Sequence, residues 1–233
     1  MTLASLREEV FAANLSLVHN GLVVETFGNA SGIDRESGLV AIKPSGVDYA
    51  KLTTADLVIT DLTGRVVEGS LRPSSDLATH LALYKSFPAI AGVAHTHSRH
   101  ATAWAQARRE IPCFGTTHAD YFRGAIPVTE EMQHEEIATD YELNTGLAIA
   151  RRFAHIDPLM MRAVLVAGHA PFAWGRNAIE AAYNAFLLEE IAHLAFMTIA
   201  IENSAMPISD SLRDKHFLRK HGPKAYYGQA ERQ

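Results

Sequence analysis

The sequence predicts one α/β domain, a mixed or antiparallel sheet covered by helices. Two observations carry this. Short apolar, strand-like runs alternate with segments of helical periodicity, joined both by hairpins and by helical crossovers. The 233 residues contain no internal repeat, low-complexity run or Pro/Gly-rich linker that would divide them, so residues 1–233 read as a single domain.

The elements follow in order. Leu6, Val10, Ala13 and Leu17 recur at helical spacing, and Asn20-Gly21 is a stop signal. Gly28-Asn29-Ala30-Ser31-Gly32 reads as a Gly-rich turn. Residues 39–42 read as a strand and Lys43-Pro44-Ser45-Gly46 as a turn. Residues 57–68 read as a hairpin around Asp61-Leu62-Thr63-Gly64. Ser74 or Ser75 caps a helix carrying Leu77, Leu81 and Tyr84, which ends before Phe87-Pro88. Residues 90–97 read as a strand, after which Ser98 caps a helix. Residues 135–153 read as helix, 162–167 as an apolar strand, 177–201 as a long helix and 209–220 as a short basic one.

Composition narrows the function. A 48% hydrophobic, 20% charged chain is globular, and with a net charge of −5 nothing suggests a chain built to bind nucleic acid. The N-terminus lacks the basic-then-apolar order of a secretion signal. The apolar stretch at 181–201 is interrupted by Asn184, Glu189, Glu190 and His193, as expected of a buried amphipathic helix and not of a membrane span. A cytoplasmic setting is expected. Cys113 is the one cysteine, which excludes an intrachain disulfide and a Cys-only zinc site. Twelve histidines remain, so any bound metal must rest on imidazole and carboxylate.

The sharpest local signal is His95-Thr96-His97 at the end of an apolar run. In a strand, residues i and i+2 share a face, so both imidazoles would project together. The plain alternative is a pair of solvent-facing or hydrogen-bonded histidines. His169 follows Val164-Leu165-Val166, again at a strand end. Asp76 opens a helix, where an acid also favours the helix dipole. His80, one turn on, is compatible with a ligand, a partner of a ligand or a packed core residue. Three small polar segments, 28–32, 43–46 and 74–75, offer backbone N–H groups, and Lys43 adds a cation. Together they could cradle a phosphate, although ordinary turns use the same residues. Neither a Walker loop nor a dinucleotide fingerprint is present.

These residues resemble the L-ribulose-5-phosphate 4-epimerases of the class II aldolase/adducin superfamily. The likeness runs through Gly28-Asn29, Ile42-Lys43-Pro44-Ser45-Gly46-Val47-Asp48-Tyr49, Pro73-Ser74-Ser75-Asp76 and residues 95–102. It continues in Gly115-Thr116-Thr117-His118-Ala119-Asp120-Tyr121-Phe122 and Lys224-Ala225-Tyr226-Tyr227-Gly228, the epimerase-specific phrases. The resemblance implies a three-layer α/β/α domain with a mainly antiparallel central sheet. It implies one Zn2+ per subunit on Asp76, His95, His97 and His169; aldolase relatives place Glu where Asp76 stands. Asn29, Lys43, Ser45, Gly46, Ser74 and Ser75 match phosphate and substrate contacts, and Asp120 and Tyr227 match an acid/base pair. Thr116, Glu142, His216 and Arg219 match residues contributed by a neighbouring subunit. The implied assembly is a C4 homotetramer with active sites between subunits and the C-terminal tail reaching a neighbour. Where the family reads His-Ser-His-Gly-Pro-Phe, this chain has Ala167-Gly168-His169-Ala170-Pro171-Phe172.

The implied substrate is a phosphorylated pentulose. Its C4 proton is β to the ketone, so removing it gains no carbonyl stabilisation. Breaking C3–C4 instead leaves an enediolate and an aldehyde, which can turn and re-add. Zinc would stabilise the charge, and two acid/base groups would serve the C4 oxygen on opposite faces. The alternatives are a class II sugar-phosphate aldolase, which releases its fragments, and a non-catalytic binding module of the adducin kind.

Overall fold

Seven strands form one sheet in the computed structural model, which describes residues 1–228. They are β1 (Asn29–Asp34), β2 (Leu39–Ile42), β3 (Val58–Asp61), β4 (Val66–Glu68), β5 (Gly92–His95), β6 (Ala163–Leu165) and β7 (Pro171–Gly175). Their order is β4-β3-β2-β1-β5-β7-β6, and every pairing between them is antiparallel. The helices are α1 (Leu3–His19), α2 (Leu77–Ser86), α3 (Arg99–Gln106), α4 (Thr116–Ala119), α5 (His134–Ala138), α6 (Tyr141–Arg152), α7 (Ala178–Ile201) and α8 (Asp210–His221).

Strand alternation sorts the side chains into two helical layers. At Gly32 of β1, a Cβ would meet Val10 and Leu6 of α1 and Ala178 of α7. Its neighbour Ser31 faces the other way and touches His80 and Tyr84 of α2. On that second face Trp174 of β7 packs against Phe87 and Phe153, which follow α2 and α6. The result is the expected three-layer α/β/α domain. Asn29, His95 and Phe172 stand side by side on the second face, because the register pairs Asn29 with His95 and His95 with Phe172.

Several elements differ from expectation. Residues 29–34 form a central strand, not a turn. The small side chains of Ala30, Ser31 and Gly32 suit a place pressed by helices on both faces, where large ones would not fit. Residues 171–175 form a strand missed in the sequence. Its leading proline sits at the first strand position, where the missing N–H is tolerated. Residues 135–153 break into α5 and α6 because Thr139 and Asp140 leave helical backbone angles. The strand at 90–97 is shorter and ends at His95. Neither Ser74 nor Ser75 caps α2: Asp76 holds the N-cap position, with no side-chain cap bond.

Ser98 holds the N-cap position of α3 without a side-chain cap bond. Glu189 of α7 takes over that role, accepting the N–H groups of His100 and Ala101 at 2.9 Å. By length and composition α7 could cross a membrane, but Ala181, Ala185, Leu188 and Ala192 are buried in the domain. It is not amphipathic as expected, since Phe196, Met197 and Ile201 are exposed apolar residues at its far end.

Candidate active site

The second face of the sheet opens at one end into a cavity of about 280 Å3. It is lined by residues 26–28, Asn29 of β1, the 43–46 turn, Ser74, Ser75 and Asp76 before α2, and His95, His97 and His169. Thr26, Phe27 and Pro44 apart, each of these is a residue that the sequence points to for metal, phosphate or substrate contact. His97 lies beyond the end of β5, so the pair does not converge by strand periodicity as expected. The loop turns it back until the two rings stand 4.9 Å apart, centroid to centroid.

The three imidazoles form a cluster. Nε2 of His97 lies 3.2 Å from Nε2 of His95 and 3.3 Å from Nε2 of His169. The possible ligand atoms all lie within 4.8 Å of one another. Nitrogens on a tetrahedral ion with bonds of about 2.0–2.1 Å are spaced about 3.3 Å apart. The cluster therefore fits a divalent metal. His95 Nδ1–H donates to the Pro171 carbonyl at 2.9 Å, which leaves its Nε2 lone pair free. Burial pushes all three rings toward the neutral form, His169 down to about 4. Neutral imidazole is the ligating form.

Asp76 shares the cavity but stands apart from the three-histidine cluster. Its Oδ2 accepts the Asn29 amide at 2.6 Å. Burial opposes its charge, but the His95 and His80 rings and the Asn29 amide outweigh it and hold the carboxyl below its usual range. His80 is fully buried, with Nδ1 2.7 Å from the Ser31 hydroxyl, so it is packed behind the cavity and does not line it.

Lys43 supplies a cation on the same wall. It is 2% exposed, and its Nζ donates to the Pro44 carbonyl and rests 4.5 Å from the centre of the Tyr49 ring. The Tyr49 hydroxyl donates to the Gly28 carbonyl at 2.8 Å. Gly28 needs its freedom: φ is +92°, and a Cβ would stand 2.9 Å from the His95 carbonyl oxygen. The altered loop at His169 closes on its own bonds. Val166 N–H donates to the Ala170 carbonyl, and the Ala170 methyl is fully buried.

Asp120, Tyr227, Thr116, Glu142, His216 and Arg219 do not line this cavity. Four of them gather elsewhere, where α8 packs on α4. The Asp120 carboxylate accepts Arg219 Nη2 at 2.9 and 2.8 Å and His216 Nδ1 at 3.0 Å, with Lys220 Nζ at 3.4 Å. Burial opposes its charge, yet the Arg219 and His216 hydrogen bonds hold the carboxyl below its usual range. The Tyr227 ring lies over Arg219 and Lys220, 5.0 and 4.3 Å from the cationic centres. Thr116 opens α4 and Glu142 stands in the first turn of α6.

Two participants escaped the sequence. Tyr141 places its hydroxyl 2.8 Å from His169 Nδ1. Glu189 ties the helix that follows His97 to α7. No spacing rule connects either with its partner, since each contact is made only by tertiary packing.

The family model described as Class II Aldolase and Adducin N-terminal domain matches residues 8–196. L-ribulose-5-phosphate 4-epimerase UlaF of Salmonella paratyphi B is 54% identical over 224 residues, covering 96% of this chain and 98% of that protein. Among solved structures, an L-fuculose 1-phosphate aldolase matches with a TM-score of 0.78 at 27% identity, over 93% of this chain and 96% of its own. The L-fuculose-1-phosphate aldolase of Thermus thermophilus matches with a TM-score of 0.67 at 26% identity, over 88% of this chain and 100% of its own.

Proposed function

Since the chain belongs to the class II aldolase and adducin family, we propose that it is a zinc-dependent L-ribulose-5-phosphate 4-epimerase. It interconverts L-ribulose 5-phosphate and D-xylulose 5-phosphate by cleaving and re-forming C3–C4. The observation that carries this is one cavity in which a buried lysine and three serines face a three-histidine cluster able to hold a metal. The likeness to an epimerase along nearly the whole chain selects the reaction.

His95, His97 and His169 would hold the ion, with Asp76 as the fourth ligand. Zinc held there would supply a Lewis acid for the charge that develops on cleavage. Lys43, Ser45, Gly46, Ser74 and Ser75 hold the phosphate, and Asn29 orients the sugar. Anchoring the phosphate keeps the aldehyde fragment in place while it turns, which separates epimerisation from release. Asp120 and Tyr227 move the proton at the C4 oxygen on opposite faces. Arg219 and His216 keep Asp120 ionised, and Thr116 and Glu142 complete the substrate contacts.

These residues reach the cavity of a neighbouring subunit in a homotetramer. Two features support that assembly: the Asp120 group lies off its own chain's cavity, and the far end of α7 exposes apolar side chains. A reducing cytoplasm fits a chain whose one thiol, Cys113, is buried and pushed up to about 11 by that burial.

The test is conversion of L-ribulose 5-phosphate to D-xylulose 5-phosphate by the purified protein, with and without a chelator. Conversion abolished by chelation and restored by zinc is expected. Cleavage to free fragments without xylulose product would make the protein an aldolase instead.

A further inference from the structure

His169 depends on a partner able to select its tautomer. The Pro171 carbonyl can only accept, so the tautomer of His95 is fixed by backbone. Nδ1 of His169 meets instead the hydroxyl of Tyr141, at 2.8 Å. A phenol can donate or accept. If it donated, the ring proton would sit on Nε2 and point into the cluster. If it accepts, Nε2 turns a lone pair on the cavity, 3.3 Å from His97 Nε2. Among the described residues, Tyr141 is the one hydrogen-bond partner of this ring outside the cluster.

Tyr141 is also held rigidly. It is the first residue of α6, and its carbonyl accepts the Thr145 hydroxyl at 2.9 Å. One residue on, the Glu142 carbonyl accepts the hydroxyl of Thr79 in α2. Gly146 lets the two helices close, since a Cβ there would stand 2.6 Å from Ala82 Cβ and 3.0 Å from the Thr79 carbonyl oxygen. The helix that follows Asp76 is thus bound to the helix that carries Tyr141.

We propose that Tyr141 is a positioning residue of the metal site. Its phenolic oxygen accepts His169 Nδ1–H and so presents the Nε2 lone pair to the ion. This rests on the metal reading given above. Removing such an outer hydrogen bond typically weakens metal binding about 10- to 100-fold.

Tyr141→Phe keeps the ring and removes the oxygen. Zinc affinity is measured by competition with a chromophoric chelator, beside wild type and His97→Asn, with thermal unfolding of the metal-free proteins as a control. The expected result is tight binding by wild type, binding at least about tenfold weaker in Tyr141→Phe, and unchanged metal-free unfolding of that variant. The absorption bands of the Co2+ form should shift in the same variant. Wild-type affinity and spectrum in Tyr141→Phe overturn the role of Tyr141 and leave the metal site standing. Equal affinity in wild type and His97→Asn overturns the metal site itself. A second measurement needs no variant: nitrogen NMR of metal-free wild type should show His169 protonated on Nδ1. Protonation on Nε2 overturns the proposal.

Discussion

Lys43 shows how one residue's environment states its use. A cation that is 2% exposed has lost its water, and burial pulls its pKa down. The Pro44 carbonyl and the Tyr49 ring offset only part of that loss. A phosphate in the cavity would complete its partners. Replacing Lys43 with Met should remove a charge-assisted hydrogen bond of about 1.5–3 kcal/mol. Steady-state kinetics on a phosphorylated pentulose should then show kcat/KM lower by about ten- to a hundredfold, since about 1.4 kcal/mol is tenfold. The candidate residues could be read from sequence because ligand and phosphate chemistry restricts residue types at short spacing, as in His95-Thr96-His97 and Ser74-Ser75-Asp76. Tyr141 could not, because nothing about a tyrosine opening a helix says which ring it will meet.

At the scale of elements, Glu189 joins two helices. Its carboxylate accepts the first free N–H groups of α3 and the Nδ1–H of His100. Burial opposes its ionisation, but the Ala101 and His100 N–H groups hold the carboxyl below its usual range. A depressed carboxyl stabilises the fold above its unfolded pKa, and the gain is lost as pH falls through the folded value. Glu189→Gln should therefore lower stability by about 1–3 kcal/mol near neutrality. Denaturant unfolding at several pH values should show the gap to wild type closing below about pH 4.3, the ordinary Glu value. A gap that stays constant with pH would mean the carboxylate charge contributes nothing. The elements that were misread share a cause. β1 opens with Asn, Ala, Ser and Gly and β7 begins with Pro, so local preference argues against strands that packing then imposes. α1 is plain from its periodic apolar residues, and α7 from its length and apolar composition.

On the scale of the whole molecule, the histidine-lined cavity and the proposed Asp120 group lie apart in one chain. If neighbours complete each other, His97→Asn and Asp120→Asn should each be inactive, yet active when co-assembled. Random mixing in a closed ring leaves about a quarter of the sites intact. Enzyme assay of co-expressed, co-purified mixtures reads this directly. No activity in the mixture would place both halves in one subunit.

The strand order β4-β3-β2-β1-β5-β7-β6 also sets a timetable for folding. β1 to β4 each pair with the next strand in the chain, so their contacts are more local than those of β5 and β7 and can close earlier. β5 joins β1 only after the whole hairpin region and α2 have been made, and β7 joins β5 later still. Those two late seams are the ones that align Asn29, His95 and Phe172. A nascent chain therefore acquires its scaffold first and its reactive cluster last, when most of the polypeptide has already been synthesised.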